Sequence, residues 1–80
     1  MTPYFFDFRA NDVLSSDEDG EELPDAAAAH KAAVEILIGA LREGFQEGEA
    51  DQRFAVEVRD GLGPVLQVSA LLGSKIVRKQ

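Results

Sequence analysis

Alternating apolar and polar residues at the start of the chain predict a strand. Tyr4 to Arg9 reads YFFDFR, so Tyr4, Phe6 and Phe8 share one face while Phe5, Asp7 and Arg9 share the other. A period of two with aromatic side chains on one face is typical of a strand that turns that face inward. Residues 10–12 look like a turn, and Val13–Ser16 predicts a short return strand.

The next segment has the spacing of an amphipathic helix. Asp25 is the predicted N-cap, the helix is expected over 26–43, and Gly44 is the expected left-handed residue after its end. The residues at spacings of three and four predict a stripe that packs on a sheet, and they are Ala29, Ala33, Ile36, Leu37, Ala40 and Leu41.

The apolar surface of this helix is wider than one sheet covers. Val34, Ile38 and Phe45 extend it round one side. Exposed apolar residues that cluster mark interfaces. We therefore expect Val34, Ile38 and Phe45 to form an interface, and a homodimer or a protein partner to use this flank or an open sheet edge.

Two further strands complete the predicted fold. Arg53–Arg59 alternates with Phe54, Val56 and Val58 inward, and Val65–Leu72 returns after the hairpin sequence DGLGP. The order ββαββ predicts an α+β domain over residues 1–72, with one helix packed on an antiparallel sheet of three to four strands. Residues 73–80 are expected to form a basic, frayed tail. The strand order cannot be derived from the pattern.

Composition narrows the classes of function. The 80 residues carry a net charge of −7, which disfavours binding to nucleic acid and to anionic membranes. The chain has no cysteine, so disulfides, thiolate metal sites and cysteine nucleophiles are excluded. The first residues lack the basic and apolar segments of a secretory signal, and a cytoplasmic location is expected.

The acidic stretch SSDEDGEELPD, residues 15–25, is tested first as a calcium loop. With Gly20 at the glycine position of an EF-hand, Ser15 and Ala26 occupy the first and last ligand positions, and neither supplies a carboxylate. The stretch is therefore interpreted as a turn before a helix. Its expected functional property is its negative charge, which would bias which partners approach. The expected acidic surface for a partner consists of Asp17, Glu18, Asp19, Glu21 and Glu22.

No residue pattern predicts catalysis. Asp7 interrupts an aromatic run, and a structural role is favoured for it. His30 is the only histidine and has no carboxylates at metal-ligand spacing around it. We therefore expect no enzyme activity, and no catalytic, metal or cofactor site. A small-molecule ligand is not expected either.

Three separated motifs together resemble a family of short bacterial proteins described as a domain of unknown function. The pattern is Tyr-Phe-Phe-Asp, an acidic D-x-x-G-x-E-L-P-D turn, a helix, and a V-x-V-x-D-x-x-G-x-P-V-L hairpin, over residues 3–72. The matching positions are Tyr4, Phe5, Phe6, Asp7, Gly20, Leu23, Pro24, Asp25, Asp60, Gly63 and Pro64. The resemblance implies the fold unit and no activity.

The opening is also distantly similar in pattern to antitoxin domains of the HicB type, without their DNA-binding extension. Such antitoxins bind a small basic toxin, which an acidic surface would suit. The leading hypothesis is a non-enzymatic protein-interaction module that can associate with itself. The alternative is a small antitoxin-like regulator that binds a basic protein.

Overall fold

The computed structural model describes residues 1–46, 51–73 and 77–78, and of residues 44–46 it describes the backbone alone. One helix and five strands follow one another along the chain. Their bounds are β1 Thr2–Ala10, β2 Val13–Ser15, β3 Glu21–Leu23, α1 Ala26–Gln46, β4 Gln52–Asp60 and β5 Gly63–Leu72.

All strand pairs are antiparallel, and the sheet has the order β2-β1-β4-β5. The fifth strand, β3, pairs with the first three residues of β1, on the edge that β2 also uses. The predicted α+β class with one helix on an antiparallel sheet is confirmed. The sheet has one strand more than the upper number predicted, because the three residues of β3 are too few to show an alternating pattern.

The core lies between α1 and one face of the sheet. From the sheet, Tyr4, Phe54, Val56 and Val58 are buried, as the alternating pattern predicted. From the helix, the small residues Ala29 and Ala33 are fully buried, together with Leu37, and α1 packs across β4 and β5. Each fully buried valine contributes about 1.5–3 kcal/mol relative to an exposed one.

The helix begins where the sequence predicted. Asp25 Oδ1 accepts a hydrogen bond from the Ala28 amide at 2.9 Å, which satisfies one of the free amides of the first turn. The predicted end at Glu43 is wrong, since α1 continues through Gly44 to Gln46. A glycine inside a helix costs about 1 kcal/mol, which disfavours the helix locally without ending it.

The assignment of Ile36 to the inward stripe is also wrong, because its side chain is 40% exposed. The buried face is centred on Ala29, Ala33 and Leu37. Ile36 follows Ala33 by three residues, or about 300° of helix rotation, so it lies about 60° to one side of that centre. The small alanines hold the helix close to the sheet and leave this isoleucine on the rim.

Positive φ angles occur at both turns that precede the helix. Asn11 has φ 56° in the two-residue turn between β1 and β2, and Gly20 has φ 73° immediately before β3. A Cβ at Gly20 would lie 2.8 Å from Phe5 Cε2 and 3.2 Å from the Tyr4 carbonyl oxygen. Glycine is therefore required at position 20 both by its backbone conformation and by its close approach to β1.

We expect Gly20→Ala to lower the free energy of unfolding by about 1–3 kcal/mol, since it combines a strained backbone with a steric clash. The matched control is Gly39→Ala on the exposed side of α1, where a Cβ meets nothing within 4 Å. That change should raise the free energy of unfolding by about 0.5–1 kcal/mol. Urea unfolding measures both, and equal stability of the two variants would contradict the account.

Candidate functional site

The loop between β2 and β3 closes a gap in the edge of β1. Strand β2 pairs with Phe8–Ala10 and β3 pairs with Thr2–Tyr4, so residues 5–7 have no neighbouring strand on that edge. The amide of Phe6 instead donates to Asp17 Oδ2 at 3.0 Å. The carboxylate of Asp17 thus takes the place of a strand carbonyl.

Asp17 also organises its own loop. Its Oδ1 accepts hydrogen bonds from the amides of Asp19 at 3.1 Å and Gly20 at 3.3 Å. The pKa of Asp17 is lowered, first by the Phe6 amide and then by the amides of Gly20 and Asp19, against the opposing effects of burial and of the Asp7 charge. Its charge is therefore stabilised by backbone dipoles within the domain.

Asp7 lies on the sheet face opposite the helix and is nonetheless buried, with 9% of its surface exposed. Its Oδ1 accepts the Asp17 amide at 2.9 Å, and its Oδ2 accepts Arg59 Nε at 2.9 Å. The pKa of Asp7 is lowered, chiefly by the hydrogen bond from Arg59, against the opposing effect of burial. The structural role expected for Asp7 agrees with these contacts.

Arg59 connects three parts of the domain. Besides Asp7 it reaches the Asp17 carbonyl oxygen through Nη2 at 2.9 Å, and its guanidinium lies 4.6 Å from the centre of the Phe5 ring. Hydrogen bonds to charged groups and stacking on an aromatic ring are the two contacts to which a guanidinium is suited. Arg59 therefore binds β4 to β1 and to the loop.

We call Asp7, Asp17 and Arg59 the acid–arginine cluster. Its two carboxylates are held ionised and are occupied by hydrogen bonds from within the domain. A general acid or base works best with a pKa near the pH of the reaction, and these two are shifted the other way. Within the described part of the chain, no group of three acidic or histidine side chains is arranged to hold a metal ion.

Of the five residues predicted to form an acidic surface, four are exposed and the fifth, Asp17, is half-buried. Glu18, Asp19, Glu21 and Glu22 are exposed. Asp17 is half-buried, and its carboxylate is directed at backbone amides. The charge available to a partner on this side of the domain therefore comes from the four exposed residues. His30 is exposed, on the helix.

Of the three predicted interface residues, Val34 is half-buried and Ile38 is 45% exposed. Phe45 belongs to α1, but its side chain lies outside the described residues.

The position of Ile38 relative to the sheet follows from a groove on the other flank of the helix. This shallow groove is lined by Phe8, Ala10, Ala40 and Glu43, so the flank of α1 with Glu43 faces β1. Measured round the helix from the stripe centre at Ala33, Glu43 lies about 80° to one side and Ile38 about 140° to the other side. Because α1 packs across β4 and β5, the side of the helix opposite Glu43 is the one nearer the outer edge of β5.

Strand β5 forms one edge of the sheet, and in the described part of the chain no strand pairs with its outer side. Its ten residues, GPVLQVSALL, include no charged side chain. Natural edge strands are normally short, charged or covered, because an open ladder of amides and carbonyls pairs with other chains. The two features of β5 that oppose pairing are Pro64 and the register irregularity at Val65, and both lie at one end of the strand.

The outward amides of β5 can be assigned from the hydrogen bonding of its neighbours. The Asn11 amide donates to the Arg53 carbonyl at 2.7 Å, so Arg53 directs its backbone groups at β1. Directions alternate along an antiparallel strand, and Phe54 therefore faces β5, where it is paired with Ala70. It follows that Gln67, Ser69 and Leu71 direct their amides and carbonyls out of the sheet.

The flank with Val34 and Ile38 and the outer edge of β5 are adjacent, and we call them together the β5 edge surface. The sequence predicted an interface on the flank and did not say which sheet edge is open, since the strand order decides which strand is last. It also missed the acid–arginine cluster, although an aspartate inside an aromatic strand was a recognisable sign of an internal ion pair.

Comparison with known proteins shows that the chain matches a protein family. Residues 4–71 match the model of a family described as a domain of unknown function (DUF6894). No curated protein and no solved structure gives a match, and no link to the HicB antitoxins was found. Among the described residues, no helix has the length and apolarity needed to cross a membrane.

We expect Asp7→Asn to lower the free energy of unfolding by about 2–3 kcal/mol, because it removes the ionised partner of Arg59 in a buried place. The matched control is Glu57→Gln, which breaks the partly exposed pair of Arg9 and Glu57. The control should cost less than about 1 kcal/mol. Urea unfolding at pH 7 compares them, and similar losses in the two variants would show that Asp7 is an ordinary surface residue.

The stability of the domain should fall in acid. Asp7 and Asp17 have folded-state pKa values below the ordinary 3.8. Their contribution is therefore fully present above that value and is lost as the pH falls through the lower, folded pKa values. Unfolding by urea at pH 7, 5, 4 and 3 should show a steeper loss below pH 4 for the wild type than for Asp7→Asn. Parallel curves would contradict this assignment.

Proposed function

Because the chain belongs to the DUF6894 family, whose description is a domain of unknown function, we propose its role from its own surface: it is a non-enzymatic protein-interaction module. The binding surface is the β5 edge surface. A bound protein segment adds a strand to the sheet and contacts the helix flank above it.

The observation that carries this proposal is the composition of the exposed edge. β5 has no charge over ten residues, in a chain in which 29% of residues are charged. The opposite edge of the sheet is treated differently, since β2, β3 and the Asp17 carboxylate cover β1 along its length. That edge of the sheet therefore consists of two interrupted strands of three residues each, whereas β5 presents ten residues and is suited to strand addition.

Side chains around the edge support an apolar contact. Leu71 is 65% exposed on the helix-free face of β5, and Ile38 is exposed on the helix side. An added strand would cover both layers at once. Backbone hydrogen bonds would provide affinity, and the pockets between alternating side chains would provide selectivity.

The chemistry of the charged groups supports a non-catalytic role. The carboxylates with shifted pKa values, Asp7 and Asp17, are shifted downward and bound internally. Active sites show the opposite arrangement, in which a group is poised near neutral pH in a cleft.

A second candidate is a small regulator of the antitoxin kind, which binds a basic protein through its acidic side. The exposed residues Glu18, Asp19, Glu21 and Glu22 favour it. Binding by separated surface charges weakens when salt screens them, whereas strand addition persists. A complex that dissociates between 50 mM and 500 mM salt, and that is lost when these four residues are neutralised, would favour the second candidate.

The edge is tested by Ser69→Pro, which removes an outward amide and leaves the hydrogen bonds to β4 in place. Ser69→Ala is the matched control, since it removes the hydroxyl and keeps the amide. We expect proteins retained from native lysate by immobilised wild type and Ser69→Ala, including added untagged copies of the chain, to be lost with Ser69→Pro. Identical retention by all three baits would overturn the edge as the binding surface.

Val68→Pro checks the orientation of the strand in the same series. Val68 is paired with Val56 and directs its amide toward β4, so this variant should unfold, while Ser69→Pro should keep the circular dichroism spectrum of the wild type. If Ser69→Pro unfolds as well, Ser69→Lys takes its place, because a lysine on an edge strand opposes pairing and is tolerated in the free domain.

A further inference from the structure

The β5 edge surface is self-complementary, and we infer that its occupant is a second copy of this chain. The inference rests on the proposed function and names its partner. Two β5 strands pair antiparallel about a two-fold axis at Val68, which extends the two sheets into one. Such an interface is isologous, so each contact occurs twice.

The side-chain pattern of β5 selects this register. With Val68 facing its own copy, Gln67 lies opposite Ser69 of the second copy, and Leu66 lies opposite Ala70. Polar side chains then meet on the helix-free face, and a large residue meets a small one on the helix face. The outward amides of Gln67 and Ser69 also fall in register as a hydrogen-bonded pair.

Neighbouring registers pair these residues less well. If the two-fold axis moves by one residue to Ser69, Gln67 lies opposite Leu71 of the second copy. If the axis moves to Gln67 instead, Ser69 lies opposite Val65 of the second copy. Both join a polar side chain to an apolar one on the helix-free face. Directly opposite side-chain pairs are the unit of sheet stabilisation, and the pattern therefore favours the register centred on Val68.

The helix layer extends the proposed interface beyond the sheet. Because α1 packs over β4 and β5, joining two β5 strands brings the two helices side by side on the same face of the sheet. The flanks with Val34 and Ile38 then face each other across the two-fold axis. This places the 45% exposed side chain of Ile38 in an apolar environment.

Charge favours this surface over the rest of the domain for self-association. Two copies with a net charge of −7 each repel one another. They can approach closely at a surface without charge, and β5 has none. A partner of strongly basic character would instead be directed to the exposed acidic residues beside the helix start.

The size of the contact sets the expected affinity. A strand of ten residues is about 33 Å long, and a sheet with its helix layer presents a side about 15 Å high. The dimer therefore buries about 500 Å² per copy and about 1,000 Å² in total, which is at the lower limit of specific interfaces. We expect a dissociation constant in the micromolar range.

The two isoleucines of α1 provide the matched test. Ile36 and Ile38 are 40% and 45% exposed, and they lie on opposite flanks of one helix. Sedimentation equilibrium at about 1–500 μM should show a monomer–dimer transition for the wild type. Ile38→Glu should weaken the dimer by about tenfold or more, and Ile36→Glu by less than about twofold. Equal effects of the two substitutions would overturn the role of the flank.

Cysteine substitutions read the register directly, since the chain has no cysteine of its own. Under mild oxidation Val68→Cys should form a disulfide-linked dimer, because the two copies of residue 68 face each other. Gln67→Cys and Ser69→Cys should each crosslink poorly alone and should crosslink with one another when mixed. Efficient crosslinking of Gln67→Cys or Ser69→Cys alone would show that the axis lies elsewhere.

The outcomes separate this inference from the proposed function. A wild-type mass of one chain at 500 μM, together with a protein that binds wild type and not Ser69→Pro, would refute the homodimer and leave the interaction module intact. A monomer with no partner sensitive to Ser69→Pro would remove both. A dimer that persists in Ser69→Pro and shows no crosslink at Val68→Cys would place self-association at another surface.

Discussion

The hydrogen bonds of Asp17 to the edge of β1 are the constraint on which the arrangement of this domain depends. Two short strands share one edge of β1 and leave the middle of it unpaired. A buried amide without a partner costs about 1–3 kcal/mol, and an open edge invites pairing with other chains. Asp17 satisfies the Phe6 amide, and Asp7 in turn binds the Asp17 amide. Arg59, on the neighbouring strand β4, forms an ion pair with Asp7 and donates to the Asp17 carbonyl oxygen.

Because of this arrangement, the two edges of the sheet differ in their chemistry. On the side of β1, polar and charged groups are used to complete the domain and are directed inward. On the side of β5, no strand of the described part of the chain pairs with the outer backbone ladder, and this is where we propose that another chain binds. A domain of this size buries a smaller fraction of its surface than a larger domain does, at most about two-thirds, and the proposed association at β5 would bury more. The cluster therefore stabilises the edge made of short strands, and the proposed interface uses the long, uncharged edge at β5.

Much of the fold was predictable because its determinants are local. The inward faces of β1, β4 and β5, the N-cap at Asp25 and the glycine turn at Gly20 each follow from spacing or from a residue type that a single conformation requires. The predictions were wrong where neighbouring residues or tertiary packing outweighed a local rule. Gly44 did not end the helix, since one unfavourable residue is outweighed by its neighbours. Ile36 fitted the spacing and was left on the rim, because alanines set where the helix contacts the sheet. Strand β3 was missed because its pairing with β1 decides its conformation.

The sequence by itself determined the class of the domain, the faces of its longer elements and the absence of thiol chemistry. It also indicated an apolar helix flank, since helical periodicity is a property of the chain alone. Only the tertiary structure decided that Asp7, Asp17 and Arg59 meet, because residues separated by 10 to 52 positions come together through strand pairing. It also decided that β5 is the last strand of the sheet and that Ile38 is exposed. Strand order is set by the packing of the whole sheet, and no local pattern encodes it.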